Sequence, residues 1–190
     1  MKRVLIAIFA LCSVSALAQD KLPAHPLVKV DTTLGNFIIE LDARRAPITV
    51  RHFLKLVDEQ YYDGTIFHRV IKDFMAQGGG YTLALKPKES KDAIPNESGN
   101  GLRNLRGTIA MARTDDPHSA NAQFFINVVD NLQLDPTPDR WGYAVFGNVI
   151  EGMNVVDAMV SIPTGRNGPF SRDVPVAPIE IRKIARFQYE

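Results

Sequence analysis

From Val28 to Phe187 the apolar residues recur mostly at alternate positions in short runs, a pattern that admits strands far more readily than long helices. Phe37, Ile39 and Leu41 alternate with Ile38, Glu40 and Asp42 just after the turn-forming Leu34-Gly35-Asn36. With Val28–Thr33 as partner, this run predicts a hairpin that opens the domain. Further strand-like runs are Ile66–Ile71, Phe74–Gly78, Thr108–Ala112, Gln123–Val128, Tyr143–Val149 and Ile179–Phe187. Two segments switch to helical spacing. Pro47 suits a first helical turn, and Val50, Phe53, Leu54 and Val57 follow it; Met153, Val156 and Val160 make a shorter stripe that ends before Pro163. Many strands with two helices predict a mainly β fold, a closed or sandwiched antiparallel sheet. Periodicity alone does not count the strands of a barrel. The intervening stretches Thr82–Arg106 and Val129–Gly142 are rich in Pro, Asn, Asp and Gly, and segments that long predict binding surface.

The N-terminus reads as an export signal. Lys2 and Arg3 precede an apolar run from Val4 to Leu11, and small residues end in Ala16-Leu17-Ala18, which predicts cleavage after Ala18. The apolar run is too short for a permanent membrane anchor. Leu11 stands immediately before Cys12, where lipidation requires a small residue, so no lipid anchor is expected. Residues 19–190 then form one domain without cysteine, stable through its core alone. Removing Lys2 and Arg3 from 22 Lys and Arg leaves 20 cations against 21 Asp and Glu, a net charge of −1. That balance draws the chain to neither nucleic acid nor anionic lipid.

Two strands carry side chains that disturb the pattern. In QFFINV, Phe125 shares a face with Gln123 and Asn127, as a lone surface aromatic would, or as half of a sheet buried on both sides. In FHRVI, strict alternation places Arg69 with Phe67 and Ile71. A solvated cation whose stem covers apolar surface is the ordinary explanation. Taken together, Phe74, Met75 and Phe125 describe an apolar floor, with the guanidinium of Arg69 and the amide of Gln77 at its rim. Arginine cannot surrender its proton, so such a site offers directed donors rather than a base. No G-x-S-x-G elbow exists for a hydrolase. His25, His52, His68 and His118 are scattered, which argues against a zinc site; His52 is expected on a helix surface and His68 in a structural role. Gly78-Gly79-Gly80 lacks the spacing of a dinucleotide or phosphate loop and predicts a tight strand exit where backbone meets backbone. No metal or cofactor is expected.

The stretches FHRVIKDFMAQGGG (67–80), GTIAMAR (107–113), SANAQFFINV (119–128) and YAVFGNVIEGMNVVDAM (143–159) resemble the cyclophilin family of peptidyl-prolyl cis-trans isomerases. The four motifs stand in the family's order, and the likeness runs from about Val28 to Phe187. The export signal and the lengthened LDPTPDRWGY segment look most like the periplasmic cyclophilin of Gram-negative bacteria. The resemblance implies a closed eight-stranded antiparallel β-barrel capped by two α-helices. It assigns Arg69 and Gln77 as catalytic. Phe74, Met75, Phe125 and Leu134 match the pocket for the proline ring, Ala112 and Arg113 the segment that pairs with substrate backbone, and Gln123 another polar groove contact. Three positions depart from the eukaryotic pattern: Gln133 replaces a Trp, Tyr143 a His, and Arg113 an Asn. Tyr143 can still pack on substrate; Arg113, whose backbone makes the family's contacts, should matter little as a side chain. Loss of the indole bears on cyclosporin affinity, expected to be weak, more than on catalysis. The implied function is isomerisation of X-Pro bonds in exported chains by a periplasmic monomer without cofactor. A proline-segment binding module or holdase on the same fold is the alternative.

Overall fold

The computed structural model describes residues 22–90 and 92–189; the expected export signal lies outside the described residues. The elements in chain order are β1 (Leu27–Thr32), β2 (Gly35–Leu41), α1 (Pro47–Asp58), β3 (Thr65–Ile71), β4 (Met75–Thr82), β5 (Thr108–Met111), β6 (Phe124–Asn127), β7 (Val145–Glu151), α2 (Met153–Ser161), β8 (Thr164–Asn167), β9 (Phe170–Pro175) and β10 (Glu180–Phe187). Eight strands close an antiparallel barrel in the order β1-β10-β3-β4-β6-β5-β7-β2. Closure leaves no unpaired sheet edge. The strands β8 and β9 form a separate two-stranded sheet that the alternation did not predict. Their residues are mostly exposed and lack an apolar period, so nothing in the pattern marks them.

Alternation fills the barrel. Phe37, Ile39 and Leu41 of β2, Phe124 and Ile126 of β6, and Ile181 and Ile184 of β10 point into one core. Helix α1 closes it with Val50, Phe53, Leu54 and Val57. The Phe53 ring lies 5.1 Å from Tyr62, 5.2 Å from Phe146 and 5.8 Å, edge-on, from Phe124. Edge-to-face aromatic pairs add about 0.5–1.5 kcal/mol each beyond their area burial. Among the described residues no helix is long and apolar enough to cross a membrane.

The two long loops buttress the fold. Ala46 supplies no side-chain cap to α1. Instead Glu97, far along the chain, accepts the N–H groups of Ile48 (3.1 Å) and Thr49 (2.8 Å) and the Thr49 hydroxyl (2.7 Å). A carboxylate there satisfies orphan donors and meets the positive end of the helix dipole. Further along, Asn104 and Asn131 are buried; Asn131 Nδ2 donates to the carbonyl of Phe74 at 2.8 Å, and Asp135 accepts the Asn104 N–H at 2.7 Å. Asn131 thus ties its loop to the β3–β4 turn, and Asn104 ties one loop to the other.

Because a loop packs over α1, one expectation fails. His52 is buried, not exposed, and its Nε2 pairs with the carbonyl of Asn121. A helix face that looks polar in sequence can therefore be covered by a segment distant in sequence.

Candidate active site

The strand register lays out a row of side chains. Across the sheet Arg69 of β3 pairs with Gln77 of β4, Gln77 with Phe125 of β6, Phe125 with Ala110 of β5, and Ala110 with Val145 of β7. Directly paired residues project to one face. This face is the outer one: Met75, Ala110, Phe125 and Val145 form a second apolar cluster, packed by Ile71, Phe74, Ala112, Leu134 and Tyr143. The choice between a lone surface aromatic and a sheet buried on both sides thus falls to the second for Phe125, which is only 4% exposed. Ala110 is the small member of the row, buried beside Phe125.

Strict alternation misplaces Arg69. Phe67 belongs to the barrel core, whereas Arg69 and Ile71 face outward. The register explains the difference: Phe67 pairs with Gly78 and Arg69 with Gln77, so two steps on β3 answer one on β4. His68 is the extra residue of a β-bulge, a device that re-aims side chains and shifts their parity. Without the bulge, Arg69 would be driven into the core. His68 is itself buried, between the rings of Tyr81 (4.5 Å) and Phe170 (5.4 Å), as its structural reading anticipated. Among the described residues its Nδ1 has no hydrogen-bond partner. Burial, with the neighbouring Arg69 charge adding in the same direction, pulls its pKa down to about 4 against the opposing Ile66 carbonyl.

A hollow with a volume of about 150 Å³ is lined by Arg69, Phe74, Met75, Gln77, Ala112, Arg113, Phe125, Leu134 and Tyr143. Clefts for drug-sized ligands run to roughly 300–1,000 Å³, so this one is scaled to a single small ring. Of the ten site residues expected from sequence, only Gln123 stands behind the wall. It accepts a hydrogen bond from Gln77 Nε2 at 3.1 Å, and Gln77 Oε1 accepts one from Arg69 Nη1 at 3.3 Å. The polar rim is therefore a relay, Gln123 to Gln77 to Arg69. Of the two long loops, only Leu134 reaches the hollow.

The glycine triplet serves this relay. It lies within β4, not at its exit. A Cβ on Gly78 would stand 3.0 Å from the Ile66 carbonyl, which is the close backbone approach expected. A Cβ on Gly80 would stand 2.3 Å from Gln123 Cγ. Replacing Gly80 by alanine should therefore displace the Gln123 amide and lower kcat/KM about two- to fivefold by loosening Gln77, on the scale of one neutral hydrogen bond; an unchanged rate in a folded Gly80→Ala protein would show that the relay does not matter.

Arg113 does more than its family match implied. Its guanidinium lies 4.7 Å from the Tyr143 ring centre and donates to the carbonyls of Thr114 (2.7 Å), Trp141 (2.9 Å) and Gly142 (3.3 Å). Tyr143 in turn meets Phe125 edge-on at 5.6 Å. The side chain thus latches one wall of the hollow to the other. Ala112 N–H is spent within the sheet, on the Gln123 carbonyl at 2.9 Å. Gln133 does not line the hollow; its amide donates to Asn131 Oδ1 at 3.2 Å.

One neighbour of Arg69 had no signal in sequence. Asp173, on the unpredicted strand β9, places Oδ2 3.7 Å from Arg69 Nε.

A ring-sized apolar hollow on the outside of a closed barrel, with a tethered guanidinium at its rim, defines a binder of one cyclic side chain that offers it a fixed donor. Residues 27–185 match the Pro_isomerase family, described as cyclophilin type peptidyl-prolyl cis-trans isomerase/CLD. The chain is 54% identical over 157 residues to peptidyl-prolyl cis-trans isomerase cyp18 of Streptomyces antibioticus, covering 81% of this chain and 94% of that one. It is 45% identical over 182 residues to peptidyl-prolyl cis-trans isomerase A of Dickeya dadantii, covering 95% of each. A crystal structure of a cyclophilin type peptidyl-prolyl cis-trans isomerase from Cryptosporidium parvum superposes with a TM-score of 0.71 at 25% identity, over 87% of this chain and 99% of that one. The chain belongs to the cyclophilin-type peptidyl-prolyl cis-trans isomerases, enzymes whose substrates are proline-containing polypeptides.

Proposed function

We propose that this isomerase acts as a periplasmic monomer on exported chains, released from its export signal after Ala18, and that Arg69 drives the rotation from its place at the rim of the hollow. Rotation about a peptide bond faces a barrier of about 20 kcal/mol because the nitrogen lone pair is delocalised into the carbonyl. No covalent bond breaks, so neither nucleophile nor metal is needed. A quarter turn ends the resonance and leaves a pyramidal prolyl nitrogen with a free lone pair. Arg69 donates to that lone pair, which exists only in the twisted state, so the interaction favours the transition state over both ground states. Phe125, Met75, Phe74 and Leu134 grip the ring, while Gln77 and the Ala112–Arg113 segment hold the chain before it.

The observation that carries this reading is the guanidinium fixed beside an apolar hollow of about 150 Å³. Placement in the periplasm rests on the Lys2–Ala18 pattern.

Refolding separates catalysis from simple binding. Uncatalysed prolyl isomerisation takes roughly 10–100 s at 25 °C, so a proline-limited refolding phase is easy to follow. The processed protein in catalytic amounts should accelerate that phase at least about tenfold. Suppressed aggregation without acceleration would favour a holdase instead.

A further inference from the structure

We propose that Asp173 is a positioning residue for Arg69: its carboxylate fixes the guanidinium in its working orientation before substrate arrives. The inference rests on the role given above to Arg69, and it adds a residue that the likeness to cyclophilins did not assign.

Arg69 has a partner at two of its three nitrogens, one by a hydrogen bond and one by an ion pair. Nη1 donates to Gln77 Oε1 at 3.3 Å, and Nε faces Asp173 Oδ2 at 3.7 Å. Among the described residues Nη2 makes no hydrogen bond to protein, which leaves that edge of the fork for a ligand. The two tethers come from different sheets, one from β4 of the barrel and one from the separate β8–β9 sheet. One tether alone permits the planar fork to swing; two define its plane.

Asp173 is built into place. Its side chain is 20% exposed, against 81% for its neighbour Arg172, so the strand turns the carboxylate inward and the cation outward. Its φ is +67°, a left-handed conformation on a non-glycine residue. Such conformations persist where the surroundings over-determine them, and they cluster at functional sites. Those surroundings are visible: Phe170, at the start of the same strand, packs on His68 (5.4 Å) and Tyr81 (5.0 Å), which pins β9 against the bulge that aims Arg69. Arg172 Nε also approaches Asp173 Oδ2, at 3.5 Å, but at its exposure the pair is screened by water and does little to divert the carboxylate.

An arginine side chain surrenders substantial rotamer freedom when it is fixed. Fixing it in the free enzyme removes that loss from the catalytic step, which is the general benefit of preorganisation. The effect should therefore fall on kcat and spare KM, since the ring is gripped by the apolar floor and not by Asp173.

Asp173→Asn keeps the shape and tolerates positive φ, because Asn is enriched in that region. Asp173→Gly keeps the backbone conformation without strain and serves if the first variant folds poorly. The expected result with a proline tetrapeptide is a loss of about three- to tenfold in kcat with KM within about twofold, and an unchanged melting temperature for Asp173→Asn. Combined with Arg69→Ala, either substitution should cause no further loss, because its effect passes through the missing guanidinium. Full activity in a folded Asp173 variant, or a loss that adds to that of Arg69→Ala, would overturn the proposal while leaving Arg69 in its role. Full activity in Arg69→Ala alone would remove that role and this inference together.

Discussion

Replacing Arg69 by alanine should lower kcat/KM for a cis-proline tetrapeptide by about ten- to a hundredfold and leave the fold intact. The magnitude follows from the bond that is lost. A charge-assisted hydrogen bond contributes roughly 1.5–3 kcal/mol, and each ~1.4 kcal/mol is a factor of ten in rate. Stability should barely change, because the Arg69 side chain is 37% exposed and its ion pair with Asp173, at 3.7 Å and open to water on the arginine side, contributes little. Arg69→Lys should recover little. An ammonium on a flexible stem keeps the charge but cannot be tied at one edge to Gln77 and at another to Asp173 while presenting a third donor. A lysine variant as active as the parent would show that charge suffices and that orientation, with its tethers, is incidental. Even a hundredfold accounts for only part of what an isomerase needs. The rest must come from holding the ring and the preceding chain in fixed relation, which is why the walls of the hollow are braced by Arg113, Tyr143 and Asn131.

Acid should weaken the protein through His68, by about 3 kcal/mol between neutral pH and pH 4. The buried ring has a pKa of about 4, against an ordinary 6.5 that the unfolded chain regains. Between those values the unfolded chain binds a proton that the folded one refuses. The contribution to stability is therefore complete above pH 6.5, is lost as pH falls through the window from 6.5 to 4, and changes no further once both states are protonated. The carboxylates held below their usual 3.8 act at still lower pH: Asp58 and Asp157 through the guanidinium groups of Arg186 and Arg106, and Asp135 through Asn104 and Arg103 despite its partial burial. Urea denaturation at pH 7, 5.5 and 4.5 separates the two ranges. His68→Phe keeps a ring between Tyr81 and Phe170 and removes the titration, giving up only the ring's contact with the Ile66 carbonyl. The variant should show a flat stability profile over this range; a slope equal to that of the parent would place the acid sensitivity elsewhere. The same ring braces the strand that carries Asp173, so activity of the folded parent protein should hold through that window and decline only near pH 4, where the ring itself takes up a proton.

Most of the barrel could be read from alternation because each of its strands has one face on a common core. Phe124 and Ile126 of β6, or Val28 and Val30 of β1, leave a period that only a half-buried strand requires. The β8–β9 hairpin left none, since its inward residues, Phe170, Asp173, Val174 and Pro175, follow no apolar alternation and most of the rest is exposed. Nine of the ten expected site residues line one hollow, and Gln123 supports it from behind. What sequence could not convey was how Arg69 comes to face outward. That depends on one inserted residue, His68, whose effect on parity appears only when β3 is paired with β4. For the same reason Gly80 looked like a strand exit when its missing side chain makes room for Gln123, and His52 looked exposed although a distant loop covers it. Each of these is a relation between segments far apart in sequence, and no local period encodes it.

A crystal structure of the processed protein with an Ala-Pro dipeptide would bear most directly on how the bond is turned. The pyrrolidine ring is expected to rest on Phe125 and Met75, with a nitrogen of the Arg69 guanidinium within hydrogen-bond reach of the prolyl nitrogen and the contacts to Gln77 and Asp173 retained. A ring seated in the hollow with the guanidinium swung away to solvent, or a dipeptide bound elsewhere on the barrel, would contradict it.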